Sequence, residues 1–197
     1  SVLQHETVGT VWQSAEYIEP INKFLLFSDV YPHFQRLMHA ALEPHMNVLD
    51  TNTTDALEGD PKLMQEVRRW CKVTMYDGFL VREHAKLLEY MKTNSSDHKP
   101  DFCSALRHAN ASIYSYFIDV VRYSEFSIDV ELITGLGCSL NVTLLRQFFD
   151  ILIDQSSHAF SPFVIMDVFY ETVGSSAVGL EVVMDVMAES FGDLYEM

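Results

Sequence analysis

Hydrophobic residues recur at three- and four-residue spacing along most of the chain, the pattern of helices that bury one face. Val8, Val11, Trp12, Ala15, Ile18, Ile21 and Leu25 line one side of a first helix, with Pro20 inside the pattern and a kink or split expected there. Asp29 is a candidate cap for a second helix whose core face is Phe34, Leu37, Met38, Ala41 and Leu42, with Pro44 ending it or opening its last turn. A polar stretch over residues 50–60 follows, and Asp60-Pro61 reads as a cap followed by proline at the first helical position. The next helix continues through Leu63, Met64, Val67, Trp70, Cys71, Thr74 and Met75 to the turn Asp77-Gly78. Another spans about residues 80–91 and is expected to bury Leu80, His84, Leu87, Leu88 and Met91.

After the polar loop 93–100, shorter helical segments are predicted near 101–110, 112–123 and 126–134, closing at Gly135-Leu-Gly137. Segments over about 141–154, 161–173 and 176–191 complete the chain. Apolar runs such as residues 163–166 fall inside windows of helical period, so no strand is predicted. About ten paired antiparallel helices joined by short turns describe an all-α chain of the irregular HEAT/armadillo-like α-solenoid type, read as a single helical-repeat domain over residues 1–197. A four-helix bundle would need fewer and longer helices.

Charge narrows the partners. The chain carries 28 acidic and 13 basic side chains, a net of −15. Residues 1–99 hold 14 acids and 10 bases, whereas residues 100–197 hold 14 acids and 3 bases, so the second half carries most of the excess. Nucleic acid and anionic membrane surfaces are excluded as main partners, because phosphate binding needs clustered Lys and Arg.

Four tripeptides fit the N-glycosylation acceptor, at Asn52, Asn94, Asn110 and Asn141, out of six asparagines in the chain. Chance predicts roughly one, so the expectation is a secretory-pathway glycoprotein, extracellular or the ectodomain of an anchored protein. Three cysteines, Cys71, Cys103 and Cys138, allow three single-bridge pairings, each leaving one thiol. Cys103–Cys138 is favoured because both fall near ends of predicted helices, with three reduced core cysteines as the alternative. The chain opens on Ser1 with neither a signal-peptide pattern nor an apolar stretch of membrane-spanning length. The expectation is a piece of a larger protein whose signal or anchor lies outside it.

Chemistry-bearing motifs fail one by one. His5-Glu6-Thr7-Val8-Gly9 opens like the zincin helix, but Gly9 stands where the second histidine must sit to hold zinc on one helical face. His39 and Glu43, near His33 and His45, are a weak metal candidate set against eight scattered histidines. No P-loop, nucleophile elbow or G-x-G-x-x-G is present, and Arg68-Arg69 reads as a solvated helix face. The pairs Asp150/Asp154 and Asp185/Glu189 read as wet helix faces, and Phe160, Phe163, Phe169 and Tyr170 as core. No catalytic residue, cofactor-binding residue or metal ligand is assigned to this chain.

The pattern as a whole resembles the C-terminal helical domain of the M1 family of zinc aminopeptidases. Glu6-Thr-Val-Gly-Thr-Val-Trp12 is similar to that family's entry into the domain, and Val30-Tyr31-x-x-Phe34 with Leu42-x-Pro44 to its next helix. Gly78 through Ala85 to Met91 is similar to its Gly-x(7–8)-Ala-x-x-x-Phe helix. Leu132-Ile-Thr-Gly-Leu136-Gly-Cys138-Ser139 followed by Leu144-Leu-Arg-Gln-Phe148 resembles its Leu-Leu-x-Ala-Leu-x-Cys-Ser … Leu-Leu-x-Arg-Tyr segment, and residues 163–191 its closing helices. The family's disulfides would place cysteines near 75, 82 and 108, where this chain has Met75, Arg82 and His108; only Cys138 lies in a matching place, so a bridge from Cys103 would be shifted. Tyr90 and Met184 stand at late tryptophan positions.

The resemblance implies a divergent member, or one released from catalytic constraint. It implies a domain that caps an upstream catalytic domain holding the zinc, and that restricts the access of peptide substrates. Partners so implied are that catalytic domain, peptides or protein ligands, and a second copy in a homodimer. The competing expectations are an extracellular adhesion or interaction module of an inactive homologue, and an unrelated α-solenoid scaffold.

Overall fold

The computed structural model describes residues 15–50, 61–95, 99–123, 129–154 and 160–190. Among these residues the chain is all-helical, with ten helices and no strand. It divides into two compact units, Ser1–Phe79 and Leu80–Met197. The sequence stretch Val8–Trp12, the cap at Asp60 and the sequon at Asn52 lie outside the described residues.

The first unit contains α1 (Ala15–Leu25), α2 (Tyr31–Asp50), α3 (Pro61–Val73) and the first residues of α4 (Asp77–Thr93). Helix α1 runs through Pro20 without the expected split, and α2 continues for six residues past Pro44. Pro44 lacks the N–H that would reach the carbonyl of Ala40; both residues are exposed, so the lost bond falls on the solvent side of the helix. The start of α2 is held by backbone carbonyls, Ser28 accepting from the Tyr31 N–H at 3.0 Å and Val30 from the Phe34 N–H at 3.2 Å, in place of the expected Asp29 cap.

Met38, Leu42, Val67, Trp70, Cys71 and Phe79 form the core of this unit. Leu37, expected inside, is 70% exposed, and Ala41 is also exposed. The buried register of α2 runs instead through Tyr31, Met38 and Leu42. A polar ladder explains the choice. Tyr31, Gln35 and His39, one helical turn apart on α2, donate to the carbonyls that end α3: Tyr31 Oη to Val73 O at 3.2 Å, Gln35 Nε2 to Thr74 O at 3.1 Å and His39 Nε2 to Thr74 O at 2.8 Å. The last carbonyls of a helix have no partner within it, so these bonds satisfy groups that burial would otherwise leave orphaned. Helix α3 closes in a Schellman pattern, the Tyr76 N–H reaching Cys71 O and the Met75 N–H reaching Lys72 O, with Met75 left-handed at φ 55°.

The second unit contains the rest of α4 and six further helices: α5 (Phe102–Leu106), α6 (Ala111–Tyr123), α7 (Val130–Leu136), α8 (Val142–Ile153), α9 (Pro162–Ser175) and α10 (Ala177–Glu189). Five of them begin at a side-chain cap. Asp101, Asp129, Asn141, Ser161 and Ser176 each accept from a backbone N–H two or three residues ahead, at 2.8 to 3.4 Å. Asn110 does the same at the start of α6, accepting from the Ile113 N–H at 3.0 Å. Asp129 sets the start of α7 at Val130, later than the 126 read from periodicity.

Within this unit the helices contact their neighbours but one. Helix α5 packs on α7 and α7 on α9, while α6 packs on α8 and α8 on α10. Cross-contacts join α6 to α7 and α9 to α10. Alternate helices therefore stack in two rows, an arrangement compatible with an α-solenoid. Small residues permit the first row. A Cβ on Gly135 would strike Phe102 of α5, its backbone carbonyl carbon lying 2.9 Å away, and one on Gly137 would strike Thr172 of α9. Among the described residues, 23 buried side chains from Leu87 to Val186 form one core, with Phe148 and Phe149 fully covered. Leu88, expected in this core, is 40% exposed.

Candidate functional site

Several residues singled out for chemistry have structural engagements, while His5 and Glu6 lie outside the described residues. His39 spends its Nε2–H on Thr74 O and its ring edge on Tyr76, centroids 5.1 Å apart. His33 Nδ1 accepts from Arg36 at 2.7 Å, and burial lowers the pKa of His45. These histidines and Glu43 do not converge, and among the described residues no group of three or more His, Cys, Asp or Glu could hold a metal ion. His84 is half-buried and donates from Nδ1 to Ala105 O at 3.1 Å.

Two surface pairs tie helices together. Arg69 bridges Glu19 of α1 and Glu66 of α3 and lies 6.0 Å from the Trp70 ring centroid, so this solvent-facing arginine also ties two helices together. Lys23 and Arg69 together hold the Glu19 carboxyl below its ordinary pKa. Arg146 of α8 reaches Asp185 at 2.5 Å and Glu189 at 3.3 Å on α10, which converts a predicted wet face into a clasp between stacked helices. Each of these pairs is largely open to solvent, where water and salt screen the attraction.

Deeper polar groups sit where the helices of the second unit join. Glu83, 3% exposed, accepts from Lys86 Nζ and from the Asp101 N–H, both at 2.8 Å, and so fixes the cap of α5 to α4. Arg107, 4% exposed, donates to Ser175 O at 3.1 Å, while its own carbonyl accepts from the Leu140 N–H at 3.1 Å. Tyr114 Oη donates to Leu136 O at 2.7 Å, and burial raises its pKa far above the ordinary phenol range. Cys103 and Cys138 are joined by a disulfide with Cα atoms 5.1 Å apart, linking α5 to the end of α7. Cys71 carries a buried thiol that donates to Met46 Sδ at 3.4 Å. Glu83 and Arg107 had no sequence signal, because a charged residue one position from an apolar stripe looks the same whether it faces water or a neighbouring helix.

On the surface, Asn94, Asn110 and Asn141 are exposed. Asn110 and Asn141 use Oδ1 to cap α6 and α8, which leaves Nδ2, the glycan attachment atom, unspent. Asn94 sits past the end of α4 with φ 49°. The aromatic group expected as core is divided: Phe169 is buried against Phe149, whereas Phe163 and Tyr170 are 82% and 71% exposed. No described helix is long and apolar enough to cross a membrane. In comparisons with known proteins, no family model and no curated protein matches this chain.

Proposed function

We propose that this chain is the C-terminal helical domain of an M1-like aminopeptidase, which caps an upstream zinc catalytic domain and regulates the access of peptides to it. The observation that carries the reading is the stacking of alternate helices in two rows over α5 to α10. A stack of this kind offers side chains along its surface for contact with a partner. One of the segments that carry the resemblance fits the same reading. Leu132, Ile133, Leu136, Cys138, Leu144 and Phe148 are buried at the row contacts, so the likeness rests on residues that determine packing.

The zinc and its ligands belong, in this proposal, to the upstream domain, and residues of this chain act by position. Exposed sequons and the Cys103–Cys138 bridge support passage through the secretory pathway, where glycans are added and disulfides persist. The coding sequence upstream of Ser1 tests the proposal. A His-Glu-x-x-His helix followed by a further Glu ligand is the expected result. An upstream region without any trace of such a domain would overturn it in favour of a free-standing scaffold.

A further inference from the structure

We propose that the outward face of α9 is a docking site for a basic amphipathic segment bearing apolar anchors, a partner that goes beyond the capping role above. Phe163, Met166 and Tyr170 lie at i, i+3 and i+7, one line along the helix, and are 82%, 64% and 71% exposed. The opposite side of the same helix, Ile165, Val168, Phe169 and Thr172, is fully committed to the core. Helix α9 is thus apolar on both sides, a composition that belongs to a helix covered on both. Two aromatic rings and a pliable thioether are also the side chains that anchor interfaces.

Charge identifies the occupant. Asp167 and Glu171 flank the stripe, exposed and one turn apart, where like charges repel. Neither forms an ion pair among the described residues. Residues 147–197 contain nine Asp and Glu and no Lys or Arg; Arg146 is engaged by Asp185 and Glu189, and Arg107 is buried with its guanidinium on Ser175 O. A second copy would set acid against acid across a two-fold contact, and an anionic lipid surface would be repelled. A cationic segment with apolar side chains on one face satisfies both the stripe and the carboxylates, in the manner of a helix laid on a hydrophobic face.

The test uses the full chain and a fluorescein-labelled peptide of about 18 residues with Leu at i, i+3, i+4 and i+7 and Lys elsewhere, read by fluorescence anisotropy. Saturable binding is expected. Phe163→Ser combined with Tyr170→Ser should weaken it by about tenfold or more while leaving the thermal midpoint unchanged, since both side chains are exposed. Asp167→Asn with Glu171→Gln should weaken it several-fold and flatten its dependence on salt. Three results would overturn the proposal: unchanged affinity in the Phe163/Tyr170 variant, equal binding of a Lys/Ser peptide of the same charge, or a Leu/Glu peptide that binds as well. So would a sedimenting dimer dissolved by the Phe163/Tyr170 variant, or capture by phosphatidylcholine vesicles through these residues, because each names a different occupant.

Discussion

The two units are held by different forces. Among the described residues, unit 2 places 23 buried residues in one core, adds a disulfide across α5 and α7, and opens its helices on side-chain caps. The described residues of unit 1 include 6 in its buried core and a line of α2 side chains that complete the hydrogen bonding at the end of α3. Apolar burial contributes in proportion to area and tolerates imperfect geometry, whereas a polar ladder contributes only while donor and acceptor stay aligned. Unit 2 should therefore resist local opening, and unit 1 should exchange its amide hydrogens sooner. Hydrogen exchange followed by mass spectrometry, resolved to peptides of each unit, turns this contrast into a set of measurements.

The largest effect is expected from the apolar core. Phe149→Ala should cost about 3–5 kcal/mol and strip protection from α6 to α10, because Phe149 is fully buried and stacks on Phe169. Replacing both Cys103 and Cys138 by Ser should cost about 2–4 kcal/mol through the entropy returned to the unfolded chain, with the loss confined to peptides of unit 2. In unit 1, His39→Ala should cost about 1–2 kcal/mol, since it leaves Thr74 O with one donor fewer and removes the ring packed on Tyr76. Loss of protection in α9 or α10 from that change would break the contrast.

The smallest effect is one of pH. Burial lowers the pKa of His45 below its ordinary value of 6.5, so the folded protein binds that proton less readily than the unfolded chain. The associated stability is present above the ordinary value and is lost as pH falls through it. His45→Gln should flatten the stability profile of unit 1 between about pH 7 and 5, measured by chemical denaturation at each pH.

Much of this architecture was legible in the sequence, and the reasons differ by region. The starts of α8 and α9 near 141 and 161 were legible because capping chemistry is local: Asn141 and Ser161 each accept from an N–H within one turn. The register of α2 was not legible. Phe34, Leu37, Met38, Ala41 and Leu42 span so wide an arc that periodicity cannot choose its centre, and the hydroxyl of Tyr31, reaching Val73 forty-two residues away, settles it. The prolines misled for a related reason: each imposes only a local penalty, a lost N–H and a ring against the carbonyl four residues back, and at Pro44 that penalty falls at exposed Ala40. The aromatic residues of α9 also divide by tertiary context, Phe169 facing α8 while Phe163 and Tyr170 face outward. Gly135 and Gly137 were legible as the end of a helix, and Gly137 is its C-cap, but their second role, close approach to Phe102 and Thr172, depends on neighbours distant in sequence.

The proposal of a capping domain on a zinc aminopeptidase is tested most directly by turnover. Release of the N-terminal residue from an aminoacyl amide should be measured for the full-length protein that contains this chain and for the 197 residues alone, each with zinc and again with a chelator. The account predicts chelator-sensitive release by the full-length protein and none by the isolated chain. Turnover by the isolated chain, or its absence from the full-length protein, would contradict it.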